Sequence, residues 1–162
     1  MIPKVIHYVW LSDERKPAII EKCIESWKKC LPDYEFKLWT LKNVPDHHWI
    51  TEAVSLKKWA FATDYIRAYA IYTEGGIYLD SDVFLKQSLD GFLENSFFSA
   101  IEWNKDYFIG TEQAKFIRED GTLIDPAHCV AGLNINAAIF GAEKGHPLLK
   151  RVLEFYDSNH FI

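Results

Sequence analysis

The segment Val5–Trp10 is a short, mostly apolar run of the length expected for a buried strand. From Pro17 the period changes. Ile20, Cys23, Ile24, Trp27 and Leu31 recur at intervals of three and four, which predicts an amphipathic helix over 17–30 with the proline at its first turn. Tyr34, Phe36 and Leu38 then alternate with Glu35 and Lys37, the period-two mark of a second strand. A β-α-β opening of this kind predicts a parallel α/β sheet. Beyond a loop containing Pro45, a long helical pattern runs from about Ala53 to Glu74 and stops at Gly75-Gly76, where a left-handed cap and a tight turn are easy. Ile77-Tyr78-Leu79 follows as a third, buried strand that ends at Asp80. Phe97–Ile101 and Asn134–Phe140 are further strand candidates, and Pro147–Tyr156 reads as a final helix. Residues 103–128 are polar and aperiodic, a long loop or hairpin excursion with a turn at Asp120-Gly121. No repeat or linker interrupts the 162 residues, so a single domain over 1–162 is expected.

Composition narrows the class. Hydrophobic residues make up 49% and aromatics 15%, enough for a real core, which excludes a disordered or fibrous chain. The formal net charge is −5 and no long Lys/Arg run appears, which argues against nucleic acid as a partner. An acidic chain can still hold an anionic nucleotide when a divalent cation supplies the positive charge. Cys23 and Cys30 lie about 10 Å apart along the predicted helix, too far for a disulfide, and with Cys129 they read as reduced thiols of a cytosolic protein. Adjacent His128 and Cys129 point apart and are not taken as a metal pair. His7 and His146 are expected to be hydrogen-bonded structural histidines. The N-terminus lacks the pattern of a signal peptide, and no run of about 18 apolar residues exists to span a membrane.

The chemistry centres on Tyr78-Leu79-Asp80-Ser81-Asp82. Residues two apart on a strand project to one side, about 6–7 Å apart. Asp80 and Asp82 therefore face a common point just past a strand end, where open α/β sheets bind ligands. Two hard carboxylates, completed by water and phosphate oxygens, suit Mg2+ or Mn2+. From Asp64 to Gly75 a helix rises about 16 Å, and from Gly76 to Asp80 a strand retraces about 13 Å. Asp64 and Arg67, three apart on one helical face, thus return to the level of Asp80. The rival account is an ordinary helix pair worth a few tenths of a kcal/mol beside a solvated turn.

The block Ala62-Thr63-Asp64-Tyr65-Ile66-Arg67, followed by Glu74-Gly75-Gly76-Ile77-Tyr78-Leu79-Asp80-Ser81-Asp82-Val83, closely resembles the DXD sugar-binding region of glycosyltransferase family 32. The opening Ile2-Pro3-Lys4-Val5-Ile6-His7-Tyr8-Val9-Trp10 is similar to that family's start. Trp27-Lys28-Lys29, Leu31-Pro32-Asp33-Tyr34 and Gly141-Ala142-Glu143-Lys144-Gly145-His146-Pro147 resemble it too. The flavour is that of small bacterial capsule and lipopolysaccharide enzymes, with a more distant likeness to the clostridial glucosylating toxins. The resemblance implies a GT-A-like fold, a Rossmann-like mixed and mainly parallel sheet flanked by helices. It also implies a retaining hexosyltransferase that uses a nucleotide sugar, a UDP-hexose first and GDP-mannose behind it, with Mn2+ or Mg2+. Carried over by position, Asp82 would be the direct metal ligand, and Asp80 would touch the donor and the metal's water shell. Asp64 and Arg67 would bind the donor sugar and its diphosphate side, Trp10 would stack on the base, and Tyr78 would line the nucleotide pocket. Asp80, Asp82 and Arg67 form the expected catalytic set, with front-face attack as the route to retention.

Alternatives stand beside these assignments. Trp10 can close the core as an aromatic of the first strand, and Tyr78 can be packing. The acceptor expected for such an enzyme is a glycan or a lipid-linked glycan at the inner face of the membrane, reached at most peripherally, with Glu102, Trp103 and the aromatic stretch to Phe108 as candidate contacts. The apolar ending at Asn159-His160-Phe161-Ile162 reads as a chain shortened at its C-terminus, lacking a late His/Trp-containing segment that closes over the diphosphate. A decayed, nucleotide-binding homologue is therefore one competing account. A dehalogenase-type phosphohydrolase with Asp80 as nucleophile is another, although no Asp-Asp pair follows position 90 to complete its site.

Overall fold

The computed structural model describes residues 1–104, 112–120, 122–125, 128, 130–131 and 133–162. Five strands form one sheet: β1 (Val5–Val9), β2 (Glu35–Trp39), β3 (Gly76–Leu79), β4 (Phe97–Trp103) and β5 (Leu133–Ala142), in the order β2-β1-β3-β5-β4. β1 pairs in parallel with β2, Val5 opposite Glu35, and with β3, Ile6 opposite Ile77; β5 runs antiparallel to β3. The helices are α1 (Ala18–Cys30), α2 (His48–Ser55), α3 (Trp59–Glu74) and α4 (Pro147–Asp157). Two compact units result, Met1–Phe98 with Ala138–Ile162, and Ser99–Ala137.

In the first unit the alternation of β1 and β3 feeds two cores. Ile6, Ile77 and Leu79 pack with Cys23, Trp27 and Leu31 of the α1 segment, all but closed to solvent. Val9 and Tyr78 face the other way, onto Tyr65 and Ile66 of α3, Ile50 and Ala53 of α2, and Leu149 and Leu153 of α4. Each fully buried aliphatic side chain contributes about 1.5–3 kcal/mol. The second unit holds a short hairpin: Ile117 bridges Leu123, Asp120 accepts from the Thr122 amide at 2.9 Å, and the Phe116 and His128 rings stack at 4.0 Å. The excursion expected over 103–128 thus contains the turn at Asp120. Gly121, Cys129 and the stretch 105–108 lie outside the described residues.

One expected element is corrected. The helical pattern from Ala53 to Glu74 is two helices, broken after Ser55. Lys57 takes φ +56°, its amide bonds the Val54 carbonyl at 2.9 Å, and the Lys58 amide bonds Ala53 at 2.8 Å. These are the paired bonds that close a helix through a left-handed residue. That residue is usually glycine; here it is lysine, so the stop carries no sequence mark. The helix that ends there, α2, is capped at its own start by His47, whose Nδ1 accepts from the Trp49 amide at 3.2 Å, whereas α3 begins after Lys58 with no side-chain cap bond.

The reversal from α3 into β3 is as expected at Gly75-Gly76, with φ of +74° and +112°. A Cβ on Gly76 would stand 2.6 Å from the Val5 carbonyl oxygen, backbone that cannot step aside. His7, fully buried on β1, secures the same turn. The Trp39 indole donates to His7 Nδ1 at 3.1 Å, and a carbonyl can only accept, so His7 Nε2–H donates to the Gly75 oxygen at 3.0 Å. His7 is therefore neutral, and burial pushes its pKa down. His146 is also structural, accepting the Leu148 amide at the start of α4. Gly76→Ala is expected to lower unfolding free energy by more than about 1 kcal/mol in urea titration. Lys57→Gly is expected to raise it by up to about 1 kcal/mol; the reverse order would contradict this account of the two turns.

Candidate active site

β3, the central strand of the sheet, delivers Asp80 to its C-terminal end. The Asp80 amide continues the ladder to the Ala138 carbonyl at 2.8 Å, and the Val83 amide returns to the Asp80 carbonyl at 3.0 Å. Ser81 and Asp82 occupy the turn between them. Asp80 is half-buried and Asp82 exposed.

The convergence computed from helix and strand rise is what the fold produces. On α3, Arg67 Nη2 binds Asp64 Oδ1, while Nη1 lies 3.8 Å from Asp80 Oδ1. The Tyr78 hydroxyl donates to that same Asp80 oxygen at 2.6 Å, and the guanidinium sits over the Tyr78 ring, 5.3 Å from its centre. A helix and the strand that directly follows it thus meet on one carboxylate oxygen. Tyr78 is 1% exposed: its ring packs in the core, as one of its two alternative roles expects, and its hydroxyl orients Asp80. Burial, with Asp80 next, pushes the Tyr78 phenol pKa well up, and it stays a donor. Burial also pushes the Asp64 carboxyl up, more than Arg67 pulls it down, and Asp80 adds to the rise. Tyr156 of α4 shares the neighbourhood; its phenol is raised by burial and by the Asp64 charge.

A cleft of about 240 Å³ opens here, lined by Val9 and Ile20, by Ala60, Thr63 and Arg67 of α3, and by Tyr78, Asp80, Ser81 and Asp82. Ile20, Ala60 and Thr63 are absent from the sequence-derived site. The signal available for the last two was helical phase, since 60, 63 and 67 share one face. Trp10 is not among the lining residues. Its indole donates to the Glu14 carbonyl at 3.1 Å and lies under the Lys16 ammonium, 5.5 Å from the ring centre, so in this structure it organises the loop after β1.

The donor set suits a divalent cation. Three carboxylates, Asp64, Asp80 and Asp82, face one guanidinium, a formal charge of −2. Asp80 has one oxygen engaged by Tyr78 and Arg67, whereas no side-chain cation or donor among the described residues engages the Asp82 carboxylate. Among those residues no His, Cys, Asp or Glu completes a cage of three. An open pair of hard oxygens leaves the remaining positions to water and substrate phosphates, the usual arrangement for Mg2+.

The wider likenesses agree with this geometry. The family model for the glycosyltransferase sugar-binding region containing the DXD motif matches residues 17–99, which include α1, α3 and the acidic turn. The chain belongs to that family. Inositol phosphoceramide mannosyltransferase 3 of Schizosaccharomyces pombe is 37% identical over 101 residues, covering 57% of this chain and 27% of that protein. Inositol phosphoceramide mannosyltransferase 1 of the same yeast is 26% identical over 130 residues, covering 72% and 40%. An uncharacterized glycosyltransferase of Acanthamoeba polyphaga mimivirus is 29% identical over 106 residues, covering 60% and 42%. The aligned part is less than half the length of each of these relatives. Among solved structures, the PaToxG glycosyltransferase superposes with a TM-score of 0.62 at 17% identity over 94% of this chain and 59% of its own. The mixed α/β, GT-A-like fold expected from the sequence is thus the fold the chain shares with a glycosyltransferase. Family membership sets aside the phosphohydrolase alternative.

A raised Asp64 pKa means that the folded state favours the neutral carboxyl more than the unfolded state does. Ionisation then costs stability at neutral pH, and stability is regained as pH falls through the folded pKa toward 3.8. Asp64→Asn, which imitates the neutral form, is expected to raise Tm at pH 7 while impairing function. A lower Tm would show that the Arg67 pairing outweighs burial.

Proposed function

We propose that this chain carries the donor site of a metal-assisted glycosyltransferase, which moves a hexose from a nucleotide sugar to a hydroxyl acceptor with retention of configuration. The observation that carries the proposal is the division of labour in the acidic pair. Tyr78 and Arg67 hold Asp80 on one oxygen, and Asp82 presents its carboxylate to the cleft with no protein partner among the described residues.

Glycosyl transfer builds positive charge at the anomeric carbon and negative charge on the departing diphosphate. Asp82 and Asp80 would hold Mn2+ or Mg2+, which would supply Lewis-acid stabilisation of that leaving group. The remaining work falls to the chain's own groups. Arg67 adds fixed positive charge beside the leaving group without reorganisation, since both of its flanking acids already hold its place. Asp64 and Asp80 offer acceptor oxygens to sugar and ribose hydroxyls. Tyr78 fixes which oxygen of Asp80 remains available. Trp10, at the end of β1, is the proposed stacking partner for the base once its loop closes on the nucleotide. Among the described residues no carboxylate in the cleft is set apart as a nucleophile, which supports attack on the face the diphosphate leaves.

Two relatives are named for mannosyl transfer to inositol phosphoceramide, which supports GDP-mannose as a donor to set beside the UDP-hexoses, and a lipid-borne hydroxyl as acceptor. No helix among the described residues is long and apolar enough to cross a membrane, so contact of this region with such an acceptor would be peripheral. Incubation with Mn2+ and UDP-glucose, UDP-galactose or GDP-mannose, followed by chromatography of released nucleotide and sugar, is expected to show metal-dependent turnover of one donor. Asp82→Asn should reduce it by about 100-fold or more. Full turnover in that variant would contradict the assignment.

A further inference from the structure

We propose that α1 is the positioning element of the acidic turn, with Trp27 as its principal anchor for Asp82; this rests on Asp82 being a metal ligand. Four side chains on one face of α1, at 23, 26, 27 and 30, bond to the backbone that follows the acidic pair. The Cys23 thiol donates to the Asp82 carbonyl at 3.3 Å, and the Trp27 indole to the Val83 carbonyl at 2.7 Å. The Leu85 amide donates to Ser26 Oγ at 3.0 Å, and the Cys30 thiol to the Leu85 carbonyl at 3.7 Å. Spacings of three, four and seven put these donors and acceptors on one helical stripe. The backbone over 83–85 belongs to no strand or helix, so its buried polar groups need such partners.

The two aspartates are held in different ways. Asp80 is held through its carboxylate, by Tyr78 and Arg67. Among the described residues Asp82 is held only through its main chain: its own carbonyl by Cys23 and the next one by Trp27. The aim of the Asp82 carboxylate is thus set by the peptide planes on which α1 acts. Trp27 is fully buried, with Tyr8 edge-on to its ring at 5.4 Å, so its indole N–H has little freedom to follow a displaced turn. Misplacement of a reactive group by about 1 Å can cost 10²-fold, and a ligand whose aim is set by its main chain is exposed to that loss.

The test is binding of Mn2+ alone, followed by electron paramagnetic resonance, with circular dichroism and thermal melting as checks on folding. Asp82→Asn is expected to remove the site, which reads the metal assignment itself. Trp27→Phe keeps the ring and deletes the donor; it is expected to weaken Mn2+ binding about tenfold or more with the secondary structure intact. Leu31→Ala opens a cavity in the same core while leaving all four bonds from α1 to residues 82–85 in place, and should bind Mn2+ like the wild type despite a lower Tm. If Trp27→Phe does not fold, Cys23→Ala against Cys23→Ser makes the same comparison, with the hydroxyl restoring binding. Wild-type affinity in Trp27→Phe, or equal weakening in Leu31→Ala, overturns the positioning role while leaving the metal assignment in place. Unchanged binding in Asp82→Asn overturns both.

Discussion

Asp80 Oδ1 is the point on which the site turns. It accepts the Tyr78 hydroxyl at 2.6 Å and faces Arg67 at 3.8 Å, and Arg67 in turn binds Asp64. These groups come from a helix and a strand that meet only because the chain reverses tightly at Gly75 and Gly76. No other residue type fits the second of these positions, where an added Cβ would stand against the Val5 carbonyl. The reversal is held from the sheet by His7, whose neutral ring links the Trp39 indole to the Gly75 oxygen. Core, turn and site are therefore one construction: loosening the glycine turn would move Asp64 and Arg67 along the strand relative to Asp80.

Much of this is legible in the sequence because it follows from two fixed rises. About 1.5 Å per helical residue and about 3.3 Å per strand residue bring Asp64, Arg67 and Asp80 to one level, whatever the rest of the chain does. The alternation Ile77-Tyr78-Leu79 likewise assigns Tyr78 to the α3 side. What escaped the sequence has physical causes. The break at Lys57 is closed by a left-handed lysine where glycine would have announced it, and the helix before it is capped by His47, an unusual capping residue. Trp27 and Cys23 read as part of an apolar stripe and Cys30 as a reduced thiol, since a buried indole or thiol gives no sequence sign of which carbonyl it will reach. Thr63 and Ala60 became visible as cleft residues only once the neighbouring walls were in place.

Among the described residues of the site, negative charge exceeds positive: Asp64, Asp80 and Asp82 against Arg67. Asp64 is less readily ionised than an exposed carboxyl because it is partly buried beside a second acid. Arg67 balances one negative charge of three. On the proposed reading the imbalance is what a divalent cation and a diphosphate require: the ion offsets the carboxylates, and Arg67 and the ion together offset the phosphates. The same residues would be a poor choice for stability alone, which accords with functional sites departing from what packing would select.

The most direct test is thermal melting with Mn2+ and a nucleoside diphosphate, UDP or GDP, added singly and together. A ligand at 100 times its Kd stabilises by about 2.7 kcal/mol, equivalent to a rise of about 5–10 °C in a domain of this size. The account predicts a shift with one nucleotide that exceeds the sum of the separate effects, because the phosphates complete the coordination that Asp80 and Asp82 begin. It also predicts that Asp82→Asn loses that excess. A nucleotide shift of the same size with and without the metal, or no shift with either nucleotide, would contradict it.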